Sequence, residues 1–282
     1  MISQRTFIQK IVSPRTLLVL ILGLVSVATL YPFSWLILSS FKTNLDIITP
    51  PIRLLPREWT TESFQHVWDS ANLPRAMANS LGISFITVAA VLFTSSLGGF
   101  VFARLPFPGR EILFMFILST TMIPFMTLLI PLYLVMREIH VLDSYAAVLL
   151  PSVVSSFGIF LCRQFIYGIP PDLFDAAKLD GASDFRCYAT IALPLMKPVL
   201  SALSIFTFLG AFNTYLWPLV VLNDQKLYTL PLVLAGLSNE SGTINYQAVM
   251  AGSVLACIPT LIVYLVFQKN FVKGVALSGV KG

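Results

Sequence analysis

Six stretches of this chain carry no charged residue: 16–41, 76–103, 112–136, 144–162, 198–223 and 241–268. Each is close to or longer than the ~20 residues an α-helix needs to cross the hydrocarbon of a bilayer. A soluble domain carries roughly a quarter charged residues; here the share is 11%, with 56% hydrophobic. The chain is therefore expected to be all-α, a polytopic membrane protein of six transmembrane helices at about 16–41, 77–103, 111–136, 144–166, 198–222 and 246–268. The spans take up more than half of the 282 residues, so 1–282 reads as a single transmembrane domain with no room for a soluble one. The first run exceeds the ~7–15-residue apolar core of a signal peptide. It is read as a retained anchor, with Tyr31-Pro32 a candidate kink.

The charges outside these runs set the orientation. Twelve Lys and Arg fall on one side (Arg5, Lys10 and Arg15, the turn between spans two and three, the 163–197 stretch and the C-terminal tail) and six on the other. Cytoplasmic loops carry the excess of basic residues, so both termini are expected in the cytoplasm. The net charge of +5 is read through this topology and not as affinity for nucleic acid. Cys162, Cys187 and Cys257 have no metal-binding spacing; they read as small buried residues. His66 and His140 have no carboxylate cluster around them, so no metal site is expected.

The longest polar interruption on the inner side is 168–198, GIPPDLFDAAKLDGASDFRCYATIALPLMKP. Pro170 and Pro171 open it, as Pro suits the first turn of a helix. Asp172 and Asp175 place negative charge near the helix N-terminus, and Lys178 follows Asp175 at pairing distance. Asp180-Gly181 stops the helix, with Gly free to take the left-handed position. Ser183 or Asp184 can cap a second short helix, whose Phe185, Tyr188, Ala189 and Ala192 fall on one face. The reading is two short helices around a glycine corner. Ala176 and Ala177 permit close approach of another surface. The alternative is a connector lying on the membrane, but two alanines and three acids suit a protein partner better than anionic lipid.

Elsewhere the spans carry softer signals. Ser80, Gly82, Ser84, Ala89, Ala90, Ser95, Ser96, Gly98 and Gly99 in span two favour close helix packing. Pro124 and Pro131 in span three each remove a backbone hydrogen bond; such breaks either line a transport route or are structural kinks. Asn213 in span five is expected to hydrogen-bond a neighbouring helix or to face a wet cavity. Pro124, Asn213, Tyr215 and Trp217 are the pathway candidates. The 42–75 outer segment, rich in Pro and aromatic residues, is expected to be ordered, with Trp59 and Trp68 at headgroup level or against a partner. The 223–248 segment ends in a polar stretch expected to be flexible.

No phosphate loop of the form G-x-x-x-x-G-K-[ST] is present, and no HExxH. No nucleophile, base and orienting group can be placed together. Neither a catalytic residue nor a cofactor of its own is expected. No span carries an Asp, Glu, Lys or Arg at its centre, as ion-coupled carriers usually do. The energy source is therefore expected to be another subunit, acting through the 168–198 loop.

The segment Asp175-Ala176-Ala177-Lys178-Leu179-Asp180-Gly181-Ala182, with Pro194 after it, resembles the EAA loop of ABC importer permeases. Around it IPPDLFDAAKLDGASDFRCYATIALPLMKPVL, TMIPFMTLLIPLYL, FGIFLCRQF, FNTYLWPLVVLND and FVKGVALSGVKG look like the carbohydrate-uptake branch, specifically the maltose-transporter G-type permease. The resemblance covers nearly the whole chain. It implies a cytoplasmic two-helix coupling loop whose first helix docks into a cleft of an ATPase subunit, through Asp172, Phe174, Asp175, Ala176, Ala177, Lys178, Asp180, Gly181 and Ala182. It implies a homologous second permease, a dimer of ATPase subunits using ATP and Mg, an extracytoplasmic sugar-binding protein, and a bacterial or archaeal cytoplasmic membrane. It further implies that the last outer segment, at Asn239, Glu240, Ser241, Gly242 and Thr243, contacts the binding protein, and that the glycine-rich tail approaches the ATPases. The family's usual Glu is Asp175 here, one methylene shorter. The rival readings are a self-sufficient secondary carrier and a membrane scaffold without a pathway.

Overall fold

The computed structural model describes residues 14–69, 72–237 and 244–279. It is helical, with no strand among the described residues. In chain order the helices are α1 (Pro14–Ser39), α2 (Asn44–Ile48), α3 (Glu62–Asp69), α4 (Leu73–Arg104), α5 (Arg110–Ser119), α6 (Phe125–Glu138), α7 (Tyr145–Leu149) and α8 (Ser156–Tyr167). There follow α9 (Asp172–Leu179), α10 (Asp184–Cys187), α11 (Leu193–Leu195), α12 (Lys197–Phe212), α13 (Leu216–Val221), α14 (Leu230–Leu237) and α15 (Tyr246–Gly279). Four uninterrupted or nearly straight segments are long and apolar enough to cross a membrane: Arg15–Ser39, Leu73–Arg104, Tyr145–Tyr167 and Tyr246–Val266. Two bent pairs bring the number to six.

One compact unit comprises the described residues up to 69 together with 236–237 and 244–255. Its α1 is exposed along most of its hydrophobic run and half-buried at Trp35, Leu36 and Leu38. Pro32 lies inside that helix without interrupting it, so the candidate kink at Tyr31-Pro32 is not a break. Phe41 packs against Trp59 and Phe64 at ring-centroid distances of 5.9 and 5.2 Å. Lys42 is fully buried; its ammonium lies 4.2 Å from the Trp35 ring centre and donates to the Arg53 carbonyl. Its pKa lies below the usual lysine value, because burial outweighs the opposing charge of Asp46. Asp46 pairs with Arg57 at 3.2 Å and accepts the Arg57 amide at 2.9 Å. The peptide Pro50-Pro51 is cis.

The other unit comprises 72–235 and 256–279. Its centre is the contact of α4 with α8, and small side chains make it possible. A Cβ on Gly99 would stand 2.5 Å from that of Cys162, and one on Gly158 2.2 Å from the Ser95 hydroxyl. Ser80, Ser84, Ser95, Ser96 and Gly99 are buried, whereas Gly82 and Ala89 face outward. Cys162 and Cys187 are buried and Cys257 half-buried, all as free thiols.

Three expected spans are interrupted, each for a local reason. In span three the hydroxyls of Ser119, Thr120 and Thr121 bond back to the carbonyls of Phe116, Ile117 and Leu118 at 2.7, 2.6 and 2.7 Å. These bonds offer the backbone an alternative to the helical ladder, the chain tightens into a 3-10 turn, and Pro124 starts α6 after a bend of 103°. Pro131 sits inside α6 without breaking it. Span four is relaxed around Pro151; Thr94 donates to the freed Val153 carbonyl at 3.0 Å, and Ser155 caps α8 through the Gly158 amide. Span five is not one helix over 198–222. Helix α12 ends at Phe212 after 16 residues, because Asn213 and Thr214 bond back to the Leu209 and Gly210 carbonyls at 2.9 and 2.6 Å. At its other end α12 meets the 184–195 segment at 75°. The sixth span runs on as helix to Gly279, so the expected short inner tail is helical through that residue.

Candidate coupling site

Helix α9 is built as its residues dictate. Pro171 precedes it, Asp172 and Asp175 occupy its first turn and Lys178 its last. It closes in a Schellman turn: the Gly181 amide donates to Lys178 at 3.0 Å and the Ala182 amide to Ala177 at 2.9 Å. Gly181 has φ +80°, the left-handed position this turn favours for Gly. Ser183 then caps α10, accepting the Arg186 amide at 3.3 Å.

The candidate residues divide into two faces. Asp172, Asp175, Ala176, Lys178, Asp180 and Gly181 are exposed, and Ala177 and Ala182 are half-buried against the core. Phe174 is buried, 4% exposed, and so is no outward contact. Its ring packs on Phe100 at 6.2 Å and lies under the Arg104 guanidinium at 4.5 Å. The reason is spacing: Phe174 faces inward on a helix whose other apolar positions are small or at the rim. Lys178 pairs with Asp184 across the corner at 3.3 Å, where pairing with Asp175 was expected. Of the face assigned to the second helix, Tyr188 and Ala192 are buried but Phe185 is 70% exposed. A π-helical turn over Tyr188–Ala192 adds a residue to the period, and Phe185 lies at the rim, its ring 6.0 Å from that of Tyr188. Tyr188 is fixed by a 2.8 Å hydrogen bond with Ser96.

Sequence reasoning missed two sets of residues here. Leu179, 90% exposed, follows the acids on α9, and Phe185 on α10 is 70% exposed. The inner charges counted only toward topology are structural: Arg163 is buried, donates to both Glu111 carboxylate oxygens at 2.6 and 2.7 Å, and stacks 3.7 Å over Phe114. The signal for the second set was a buried-side arginine one turn before Tyr167, which it also reaches at 2.7 Å.

The pathway candidates do not converge. Pro124 and Asn213 are exposed, and Tyr215 is 39% exposed. Asn213 bonds within its own helix, not to a neighbour. Trp217 is buried, donates to the Ala147 carbonyl at 3.0 Å and meets Phe125 edge-on; its role is packing. Helix α4 and the broken spans four and five instead border an open cavity of about 400 Å³ lined by Thr87, Ser152, Ser155, Thr207 and Thr214 among apolar residues, with no charged side chain. Asn239, Glu240, Ser241, Gly242 and Thr243 lie outside the described residues. Among the described residues no three His, Cys, Asp or Glu side chains gather as a metal site.

Comparison with known proteins bears on this arrangement. The family model described as "Binding-protein-dependent transport system inner membrane component" matches residues 95–277. The arabinooligosaccharides transport system permease protein AraQ of Halalkalibacterium halodurans is 37% identical over 255 residues, 89% of this chain and 91% of that protein. The lactose transport system permease protein LacG of Rhizobium radiobacter is 33% identical over 93% of this chain and 94% of its own. The sn-glycerol-3-phosphate transport system permease protein UgpE of Escherichia coli is 32% identical over 92% and 94%. A chain from the crystal structure of a bacterial ABC transporter involved in the import of the acidic polysaccharide alginate superposes with a TM-score of 0.80, covering 96% of this chain and 98% of that one. At 24% identity that likeness is one of fold. A second, from a bacterial alginate ABC transporter in complex with an alginate pentasaccharide-bound periplasmic protein, gives 0.64 at 14% identity.

Proposed function

The chain belongs to the binding-protein-dependent transport system inner membrane component family, and from that premise we propose that it is the permease subunit of an ATP-driven saccharide importer. Its partners in this reading are a homologous second permease, two ATPase subunits that use ATP and Mg, and an extracytoplasmic sugar-binding protein. Hydrolysis belongs to the ATPases. Both termini face the cytoplasm.

The observation that carries the reading is α9: a short acidic helix with an exposed outer face, closed by the Gly181 corner and rooted by Phe174. A partner that seats against Asp172, Asp175, Ala176 and Leu179 moves this helix as a lever. Asp175 at the N-terminal turn suits an arginine on the ATPase. Rooted in the core that α4, α8 and α12 share, the lever switches the broken spans around the cavity. A saccharide presents hydroxyls to be paired, and the cavity offers hydroxyls without charge. That chemistry favours a neutral mono-, di- or oligosaccharide over a sugar acid or glycerol phosphate.

Affinity purification from the native host in mild detergent, with mass spectrometry of the accompanying proteins, tests the assembly. The expected result is an ATPase and a second six-span permease. A chain recovered alone after gentle crosslinking overturns the reading in favour of a self-sufficient carrier.

A further inference from the structure

Arg104 ends α4 and touches three elements with one side chain. One of its terminal nitrogens donates to the Ile166 carbonyl at 2.9 Å and also to the Ile169 carbonyl. These belong to the last turn of α8 and the residues just beyond it; the Ile166 carbonyl also accepts the Ile169 amide at 3.1 Å. Its guanidinium covers the ring of Phe174, the buried residue of α9, at 4.5 Å. Phe100, one turn earlier on α4, holds the same ring from another side at 6.2 Å. Next to Phe174 in sequence is Asp175, whose charge acts on Arg104. A planar guanidinium can bond two carbonyls and lie on an aromatic ring at once; a lysine ammonium offers a point charge. Arg104 Nε is buried without a hydrogen-bond partner among the described residues, so the side chain is held by the ring and the two carbonyls.

We propose that Arg104 is a positioning residue for coupling, clamping α9 to the inner ends of α4 and α8 so that force on the exposed face of α9 reaches span two as well as its neighbours in sequence. The proposal rests on the docking of α9 described above, and the test separates the two. In the assembled complex, carrying Cys257→Ser, spin labels at Ala89→Cys on α4 and Leu173→Cys on α9, both exposed in this chain and outside the face assigned to the ATPase, report the distance between the helices. With Arg104 the distance is expected to be the same without nucleotide and with trapped ATP. With Arg104→Lys a shift and broadening is expected in the ATP state alone. A role confined to stability alters both states equally, together with the melting temperature. Phe174→Leu, which keeps apolar volume but removes the covered ring, is expected to behave as Arg104→Lys does and replaces it if the lysine variant does not assemble.

Crosslinking from Ala176→Cys to the ATPase tests docking by itself: its absence in the Arg104 complex overturns the docking reading. If the crosslink forms, two outcomes overturn the Arg104 proposal and leave docking intact. One is a distance that changes with ATP in the Arg104 complex; the other is a nucleotide-independent distance in both variants.

Discussion

Gly181 and Asp175 sit on one short helix and answer to different physics. At Gly181 an added Cβ would meet nothing within 4 Å, so the objection to a side chain is the backbone alone, at φ +80°. A left-handed L-residue costs roughly 1–2 kcal/mol, more for a β-branched one. Gly181→Val is therefore expected to leave membrane insertion intact while lowering ATP-driven uptake, since the Schellman turn that sets the angle of α9 is strained. Membrane-fraction blots alongside uptake in whole cells check this; wild-type uptake would remove the corner from the mechanism. Asp175 is exposed and its charge is what matters. Asp175→Lys places a cation at a helix N-terminus, a change in dipole interaction of ~0.3–1 kcal/mol before any partner is counted. Loss of a charge pair with the ATPase adds to it. Co-purified ATPase is expected to fall several-fold, and unchanged recovery would mean that Asp175 does not face the partner.

The helices show which features a linear reading can reach. Four of the charge-free runs coincide with helices long and apolar enough to cross a bilayer, and the other two with bent helix pairs, because such helices are a matter of length and composition. The coupling loop was legible through Pro171, Gly181 and Ser183, residues whose backbone preferences act locally. The breaks were harder to read. Pro124 marks one but Pro131, seven residues later, does not, and the difference lies in the three hydroxyls of Ser119, Thr120 and Thr121 that had already loosened the helix. Phe174 and Arg104 were misread or passed over because their partners are remote in sequence. Packing between elements yields its own prediction. Gly99→Val drives a side chain into the α8 backbone, with Arg163 N at 2.9 Å as well as the Cys162 Cβ. Overpacking costs ~1–3 kcal/mol where neighbours can yield, and backbone yields poorly. A lowered melting temperature in detergent is expected, in contrast to Gly181→Val. Loops also bind elements together: Asp143, itself at φ 56°, accepts the Asn223 and Asp224 amides at 2.8 and 2.9 Å. Those bonds hold its carboxyl below the usual aspartate range. A depressed pKa contributes stability that is present above the unfolded value and is lost as pH falls through the folded one. Amide exchange at 223–224 is expected to accelerate over that acidic window, and Asp143→Ala to show the fast rate at every pH.

For the molecule as a whole, the question is where the energy for transport enters. The buried charges described here, Lys42, Asp46 and Arg163, sit at or beyond the ends of spans and are paired or capped. The central parts of all six runs hold no Asp, Glu, Lys or Arg. A carrier driven by a proton or sodium gradient needs an ionisable or coordinating group within the membrane to bind the ion and release it. The cavity at the span breaks is lined by Ser and Thr residues and by no charged side chain, and hydroxyls do not titrate near neutral pH. On the function proposed above, work enters where α9 exposes its acids and Leu179. Proteoliposomes test this directly, using a labelled neutral oligosaccharide together with the cognate binding protein. The chain reconstituted alone is expected to give no uptake under an imposed proton or sodium gradient. The full assembly is expected to give uptake that requires ATP inside or outside according to orientation, and that survives a protonophore. Gradient-driven uptake by the chain alone would overturn the coupling account.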